Sequence, residues 1–219
     1  MSRLIMPLVW AAFLAVLASV LFISAGRVDL PMVWGVLGVL AVVVVLMFTS
    51  MDPALMRERV RPGAGNRDRL TRPATLVLML GHWIVAGLDV GRFHWSPIPF
   101  EVQLVGLIGY AVAMAGAFWA IRANPFYSSA VRLQTDRGQR PITGGPYRFV
   151  RHPGYAASVF GMLSAGLAMG SWIAMLPVLG VVAIFVRRTL VEDRMLLGGL
   201  AGYAEYANRV RYRLVAGVF

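Results

Sequence analysis

Apolar residues along this chain gather into runs about 20 long, separated by short segments crowded with arginine. Roughly 20 apolar residues, rising about 1.5 Å each, are needed to cross about 30 Å of hydrocarbon. Residues 4–24, 32–49 (with its AVVVVLMF core), 73–90 and 99–121 meet that requirement and predict four membrane-spanning helices. A further apolar stretch, 154–187, is interrupted near Gly170 and Ser171. Its halves of about 16 residues reach about 24 Å each. The pattern therefore predicts a helical hairpin that barely crosses or stops short, loosened by Pro177 and Gly180. From 188 to 213 the chain turns polar again. Leu196, Leu200, Tyr203, Ala207 and Val210 recur at three- and four-residue steps, which predicts an amphipathic helix lying against membrane or protein. With no internal repeat and no low-complexity linker, 1–219 reads as one all-α domain: a polytopic membrane helical bundle ending in an amphipathic helix.

Composition agrees with that pattern. The chain is 58% hydrophobic and 14% charged, with a mean hydropathy of +0.69, too apolar for a soluble domain of 219 residues. All 21 basic residues are arginine, and the net charge is +11. In a soluble protein that charge points to nucleic acid. Here it lies between apolar runs, where anionic headgroups and topology account for it, so no nucleic-acid partner is expected. Eighteen of the arginines fall in three segments, 50–72, 122–153 and the C-terminal part from 187. The positive-inside rule then predicts both termini in the cytoplasm. The all-arginine composition and minimal membrane core lead us to expect a prokaryotic inner or plasma membrane. The N-terminal apolar run is too long for a signal h-region and reads as a retained span. The chain has no cysteine, which excludes disulfides and thiolate metal sites. His82, His94 and His152 are scattered rather than set at metal-ligand spacing, so no metal is expected.

Two short stretches carry candidate chemistry. In GPYRFVRHPGY, residues 145–155, His152 precedes Pro153 at the mouth of an apolar run. Pro153 suits a first helical position, and the free N–H groups of such a start bind carboxylate or phosphate. Tyr147 and Tyr155 are placed to flank a planar ring, or equally to sit in an interfacial aromatic belt. In RRTLVEDR, Arg188 and Glu192 stand four apart and share a helix face. That spacing fits an exposed ion pair, or a carboxylate set in a basic region to meet a cationic ligand. His82 and Asp89 lie in or near the third span, where an ionisable group raises a functional question; an interfacial position accounts for them equally. Nucleotide-binding glycine motifs, HExxH and GxSxG are absent.

TGGPYRFVRHPGY, then an apolar hairpin, RRTLVEDR and AGYAEYANRV, together resemble the isoprenylcysteine carboxyl methyltransferase family and the related phospholipid methyltransferases. The resemblance covers about 124–213. The family's paired acids appear here as Glu192 and Asp193 rather than two glutamates. The resemblance implies a membrane methyltransferase with a cytoplasmic pocket for S-adenosylmethionine and no Rossmann domain. It implies cofactor contacts at Gln139, Arg140, Pro141 and Ile142, at Tyr147, at His152, Pro153, Gly154 and Tyr155, and at Glu192. Arg188 is similar to the arginine that faces the substrate. The implied partner is a lipophilic acceptor from the bilayer, an isoprenylcysteine-like carboxylate or a phospholipid amine. Two other classes stay open: an NADPH-dependent sterol or enone reductase, whose relatives share a related RHPxY-type region but are usually longer, and a non-catalytic membrane protein. Oligomeric state is not legible.

Overall fold

A computed structural model of the chain describes residues 5–66 and 68–219. Leu4, the first residue of the predicted span 4–24, and Arg67 of the basic loop lie outside the described residues. Eight α-helices follow in order among the described residues: α1 (Ile5–Ala25), α2 (Pro31–Ser50), α3 (Pro53–Val60), α4 (Thr71–Leu88), α5 (Phe100–Ala123), α6 (Pro153–Met169), α7 (Met175–Gly199) and α8 (Tyr203–Arg209). The helices α1, α2, α4 and α5 are long and apolar enough to cross a membrane. Val77, Ile108, Val112, Leu176 and Leu179 point away from the bundle and are largely exposed. So much outward apolar surface on closed helices suits hydrocarbon, where backbone groups must be satisfied internally. The architecture is a polytopic helical membrane bundle.

The α5 helix packs closely along α6, and α4 lies against α1 and α7. Small residues make the first contact possible. A Cβ on Gly106 of α5 would stand 2.7 Å from Leu167 Cβ of α6, so the two backbones approach as small-residue helix pairs do in membranes. At the far end from the arginine-rich loops, a π-helical turn (Asp89–Phe93) continues α4. There the buried Asp89 accepts hydrogen bonds from the Ser96 backbone N–H at 3.0 Å and the Ser171 hydroxyl at 2.6 Å. His82, fully buried, pairs its Nδ1 with the Ala174 carbonyl at 2.6 Å. Both groups pin α4 to the turn between α6 and α7 and lie away from the arginine-rich end.

Two features differ from the expectation. First, the loop 50–72 contains α3. Asp52 caps it, accepting from the Ala54 N–H at 2.6 Å, and Pro53 takes the first helical position, a strong local start signal. Second, the boundary expected at 187/188 does not exist. The α7 helix runs through it to Gly199, and the amphipathic helix expected over 188–213 is broken after Gly199. Gly198, Gly199 and Gly202 weaken the helix there, and Gly202 adopts the left-handed conformation (φ 77°) before α8 begins. The apolar stripe survives the break. Leu196, Leu200, Tyr203, Ala207 and Val210 all join one cluster with Tyr147. The stripe therefore packs on protein.

Candidate functional site

Three segments converge at the arginine-rich end: the connection between α5 and α6, the last turns of α7, and α8 with the tail behind it. Asp193 on α7 holds them together. It is 1% exposed. Its Oδ1 accepts from His152 Nε2 at 3.1 Å, Arg151 Nε at 3.2 Å and the Tyr203 hydroxyl at 2.7 Å. Its Oδ2 accepts from Arg151 Nη2 at 2.6 Å and Arg213 Nε at 2.7 Å. Burial alone would raise the Asp193 pKa. The hydrogen bonds from His152, Arg151 and Tyr203 outweigh it and hold the carboxyl well below the usual carboxylate range. Burial and that carboxylate push the Tyr203 phenol up, so it stays a donor. The tail completes the clamp, with the Arg151 and His152 N–H groups donating to the carbonyls of Tyr212 and Arg213 at 2.9 and 2.8 Å.

Glu192, one residue earlier, faces the other way. Successive helical residues point about 100° apart, and Glu192 lines a polar cavity with Gln139, Arg140, Pro141, Ile142, Tyr147 and Tyr155. Phe126, Arg132, Arg151 and Tyr206 complete much of the wall. The cavity holds about 70 Å³. The Tyr155 hydroxyl donates to Glu192 Oε2 at 2.6 Å and accepts from Arg188 Nε at 2.8 Å. One phenol thus joins the carboxylate and guanidinium that sequence spacing placed on a common face.

Arg188 belongs to a second, larger cavity of about 460 Å³. Leu76 and Met79 of α4 and Phe185 of α7 give it an apolar floor, and Arg59, Thr75 and Ser129 stand among its polar residues. Tyr127, Ser128 and Tyr155 line both cavities and so form the partition between them. A buried ion pair ties α3 to this partition. Arg132 meets Glu58 through Nε at 3.0 Å and Nη2 at 3.1 Å, and the Ser128 hydroxyl donates to the same carboxylate at 2.8 Å. Burial opposes ionisation of Glu58, but Arg132 and Ser128 prevail and lower its pKa.

Of the residues singled out from the sequence, Gln139, Arg140, Pro141, Ile142, Tyr147, Tyr155 and Glu192 surround one cavity. Arg188 lines its neighbour. His152, Pro153 and Gly154 stand behind the polar cavity rather than in its wall. The His152 ring stacks on Tyr155, centroids 5.6 Å apart and 6° from parallel. Pro153 and Gly154 open α6. Sequence reasoning missed Asp193 as the hub, the Tyr127–Ser128 partition, and all of α3. For the last, the Asp52-Pro53 helix start and the lone Glu58 between Arg57 and Arg59 were the available signals.

Gly154 has a specific packing reason. A Cβ there would fall 2.7 Å from Tyr127 Cε2 and against its hydroxyl. Gly154→Ala is therefore expected to destabilise the protein by about 1–3 kcal/mol, although alanine normally favours a helix by about 1 kcal/mol. Thermal unfolding in detergent checks this; a raised Tm would contradict the close approach.

Residues 102–199 match the family model described as phospholipid methyltransferase. The chain is also 28% identical over 134 residues to the cobalt-zinc-cadmium resistance protein CzcN of Cupriavidus metallidurans. That alignment takes in 58% of this chain and 56% of the relative, so the chain spans a little over half of that protein's length. These matches bear out the resemblance read from the sequence. Together with the four long apolar helices, they support a membrane methyltransferase.

Proposed function

We propose that the protein transfers a methyl group from S-adenosylmethionine, held in the polar cavity, to a lipophilic acceptor in the apolar one. The observation that carries this reading is the pair of adjoining cavities, one lined by mixed polar and apolar surface and the other by mainly apolar surface, which share Tyr127, Ser128 and Tyr155. The cofactor would supply a sulfonium-bound methyl group, whose carbon–sulfur bond breaks as the bond to the acceptor forms. The chemistry of the lining fits such a molecule. Glu192 offers a carboxylate to an ammonium or hydroxyl, arginines answer a carboxylate, and Phe126, Tyr147 and Tyr206 offer apolar faces to a base. Admission requires the narrow cavity to widen, and the partly exposed strip 139–142 between Gly138 and Gly144 is the segment placed to move. Because the reaction is an in-line displacement, positioning and exclusion of water are the protein's main contributions.

Leu76 lines the apolar cavity and is 49% exposed on the outer side of α4, which supports sideways entry of the acceptor from the bilayer. Arg188 is the residue placed to orient it. The arginine-rich segments share one end of the bundle, and we assign that end, with both termini, to the cytoplasm.

Calorimetric titration of S-adenosylmethionine and S-adenosylhomocysteine into detergent-purified protein, with NADPH as the control, tests the reading. Micromolar binding of the first two supports it; binding of NADPH alone returns the reductase. Arg188→Ala is expected to leave cofactor affinity within about twofold while turnover falls about 100-fold or more, the effect of losing a charge-assisted contact to the reacting group. A matched loss of cofactor binding would move Arg188 into the cofactor site.

A further inference from the structure

We infer that Asp68, in the turn ahead of α4, is a positioning residue for methyl transfer: it fixes the direction of the Arg188 guanidinium at the apolar cavity. The inference rests on the methyltransferase reading, in which Arg188 orients the acceptor. Asp68 is buried, and a buried charge must be balanced by a nearby partner. Its Oδ1 accepts from Arg187 Nη1 at 3.0 Å and from the Thr71 N–H at 3.4 Å. Arg187, however, is 53% exposed, and a pair that reaches into solvent contributes little. The buried cation is Arg188, whose Nη1 stands 4.0 Å from Asp68 Oδ2. Glu192, the other carboxylate of the site, reaches that guanidinium only through the Tyr155 hydroxyl. Burial opposes ionisation of Asp68, but the hydrogen bonds from Thr71 and Arg187 outweigh it and lower the pKa. Asp68 is therefore charged at neutral pH.

The bonds of Arg188 show what Asp68 adds. Nε donates to the Tyr155 hydroxyl at 2.8 Å and Nη2 to the Ser129 carbonyl at 3.0 Å. Among the described residues Nη1 donates to no oxygen at hydrogen-bond distance; its partner is the Asp68 charge at 4.0 Å. A guanidinium is a rigid plane with its donors in a fixed fork. Two hydrogen bonds define where the plane lies. Asp68 attracts the third nitrogen without consuming its N–H groups, which stay available to the acceptor. Asp68 is itself held in place. The Thr71 hydroxyl donates to Oδ2, the oxygen that faces Arg188. The Asn66 side-chain oxygen accepts from the N–H of Asp68 at 3.0 Å and of Val131 at 3.1 Å, which ties the turn to the connection between α5 and α6. Thr71 and Arg188 both line the apolar cavity, with Asp68 behind them. Asp68 precedes residues 102–199, so this contact comes from a part of the chain that the family match does not reach.

The test has one arm that needs no acceptor and one that reads turnover, both on full-length protein in detergent. In the first, arginines are labelled with phenylglyoxal and the rate at each is read by mass spectrometry. Asp68→Asn is expected to speed labelling of Arg188 about fivefold, the local loosening that follows loss of a coupled contact. Arg132 and Arg151, also buried, are the internal controls and should not change. In the second, transfer of radiolabelled methyl from S-adenosylmethionine into a lipid extract of the expression host is measured. Turnover in Asp68→Asn should fall about tenfold through misplacement of Arg188, with affinity for S-adenosylhomocysteine within about twofold. Added to Arg188→Ala, the substitution should cost nothing further, because it acts through that arginine. Arg187→Ala, which removes only the exposed pair, should keep wild-type turnover. Thr71→Val frees Oδ2 without removing the charge and serves as an independent variant should Asp68→Asn fold poorly; labelling of Arg188 should rise and turnover fall about threefold. Unchanged labelling of Arg188, labelling of Arg132 and Arg151 rising alongside it, or losses that multiply with those of Arg188→Ala would overturn the inference while leaving the cofactor site intact. Absence of S-adenosylhomocysteine binding in the wild type, with labelling of Arg188 still selective, would instead remove the methyltransferase reading and with it the positioning role, leaving Asp68 only as the anchor of Arg188.

Discussion

Asp193→Ala is expected to destabilise the protein by about 3–5 kcal/mol, the usual effect of stripping a buried arginine, here Arg151, of its partner. The substitution leaves Arg151, His152 and Arg213 facing one another without the carboxylate that now accepts from all three. For a chain of this size the loss corresponds to a Tm lower by about 10 °C, measurable by thermal unfolding in detergent. The same residue has a pH signature. Its folded pKa is depressed, so its contribution is fully present above the unfolded carboxylate value of about 3.9 and is lost as pH falls through the folded value. The stability gap between the wild type and Asp193→Asn should therefore be constant at neutral pH and narrow below about pH 4. A gap that widens on acidification, or an Asp193→Ala protein as stable as the wild type, would show that the clamp is held by something else.

Glu192→Ala is expected to do the opposite to fold and function. Affinity for S-adenosylmethionine should fall about 100-fold or more, equivalent to about 2.7 kcal/mol, while Tm moves by only a few degrees. Glu192 lines the polar cavity and, among the described residues, accepts one hydrogen bond, from Tyr155, with His152 Nδ1 farther off at 4.0 Å. That bond is worth about 1 kcal/mol, and the phenol keeps its bond from Arg188 when the carboxylate is gone. Glu205, exposed on α8, provides the control: Glu205→Ala should bind the cofactor normally. Near-normal affinity in Glu192→Ala would sink the assignment of this carboxylate. Two adjacent acids thus separate cleanly, one by calorimetry and the other by melting.

That separation marks where sequence reading runs out. The four long helices are legible because the thickness of hydrocarbon dictates how many apolar residues must follow one another. Arg188 and Glu192 are legible as a pair because a four-residue step returns to the same helix face. Asp193 is not separable from Glu192 in the sequence, since only the surroundings distinguish two neighbouring acids, and those surroundings come from residues 151, 152, 203 and 213. The contact of Glu58 with Arg132 joins positions 74 apart, beyond any local signal. The break at 200–202 shows periodicity and backbone propensity giving different answers. The apolar stripe identified the buried face correctly, but three glycines decided where the helix stopped.

The clamp around Asp193 also sets an order of assembly. Chains emerge from the ribosome N-terminus first, so α1, α2, α4 and α5 are available to the membrane before α7 exists. The turn at His152 cannot be fastened until Asp193, Tyr203 and finally Arg213 have been synthesised, because all of them hold it. Membrane insertion and pocket formation are therefore separate events in time, and a chain arrested before residue 192 would hold α1, α2, α4 and α5 while lacking the wall of the polar cavity that Glu192, Leu196, Leu200, Tyr203 and Tyr206 supply.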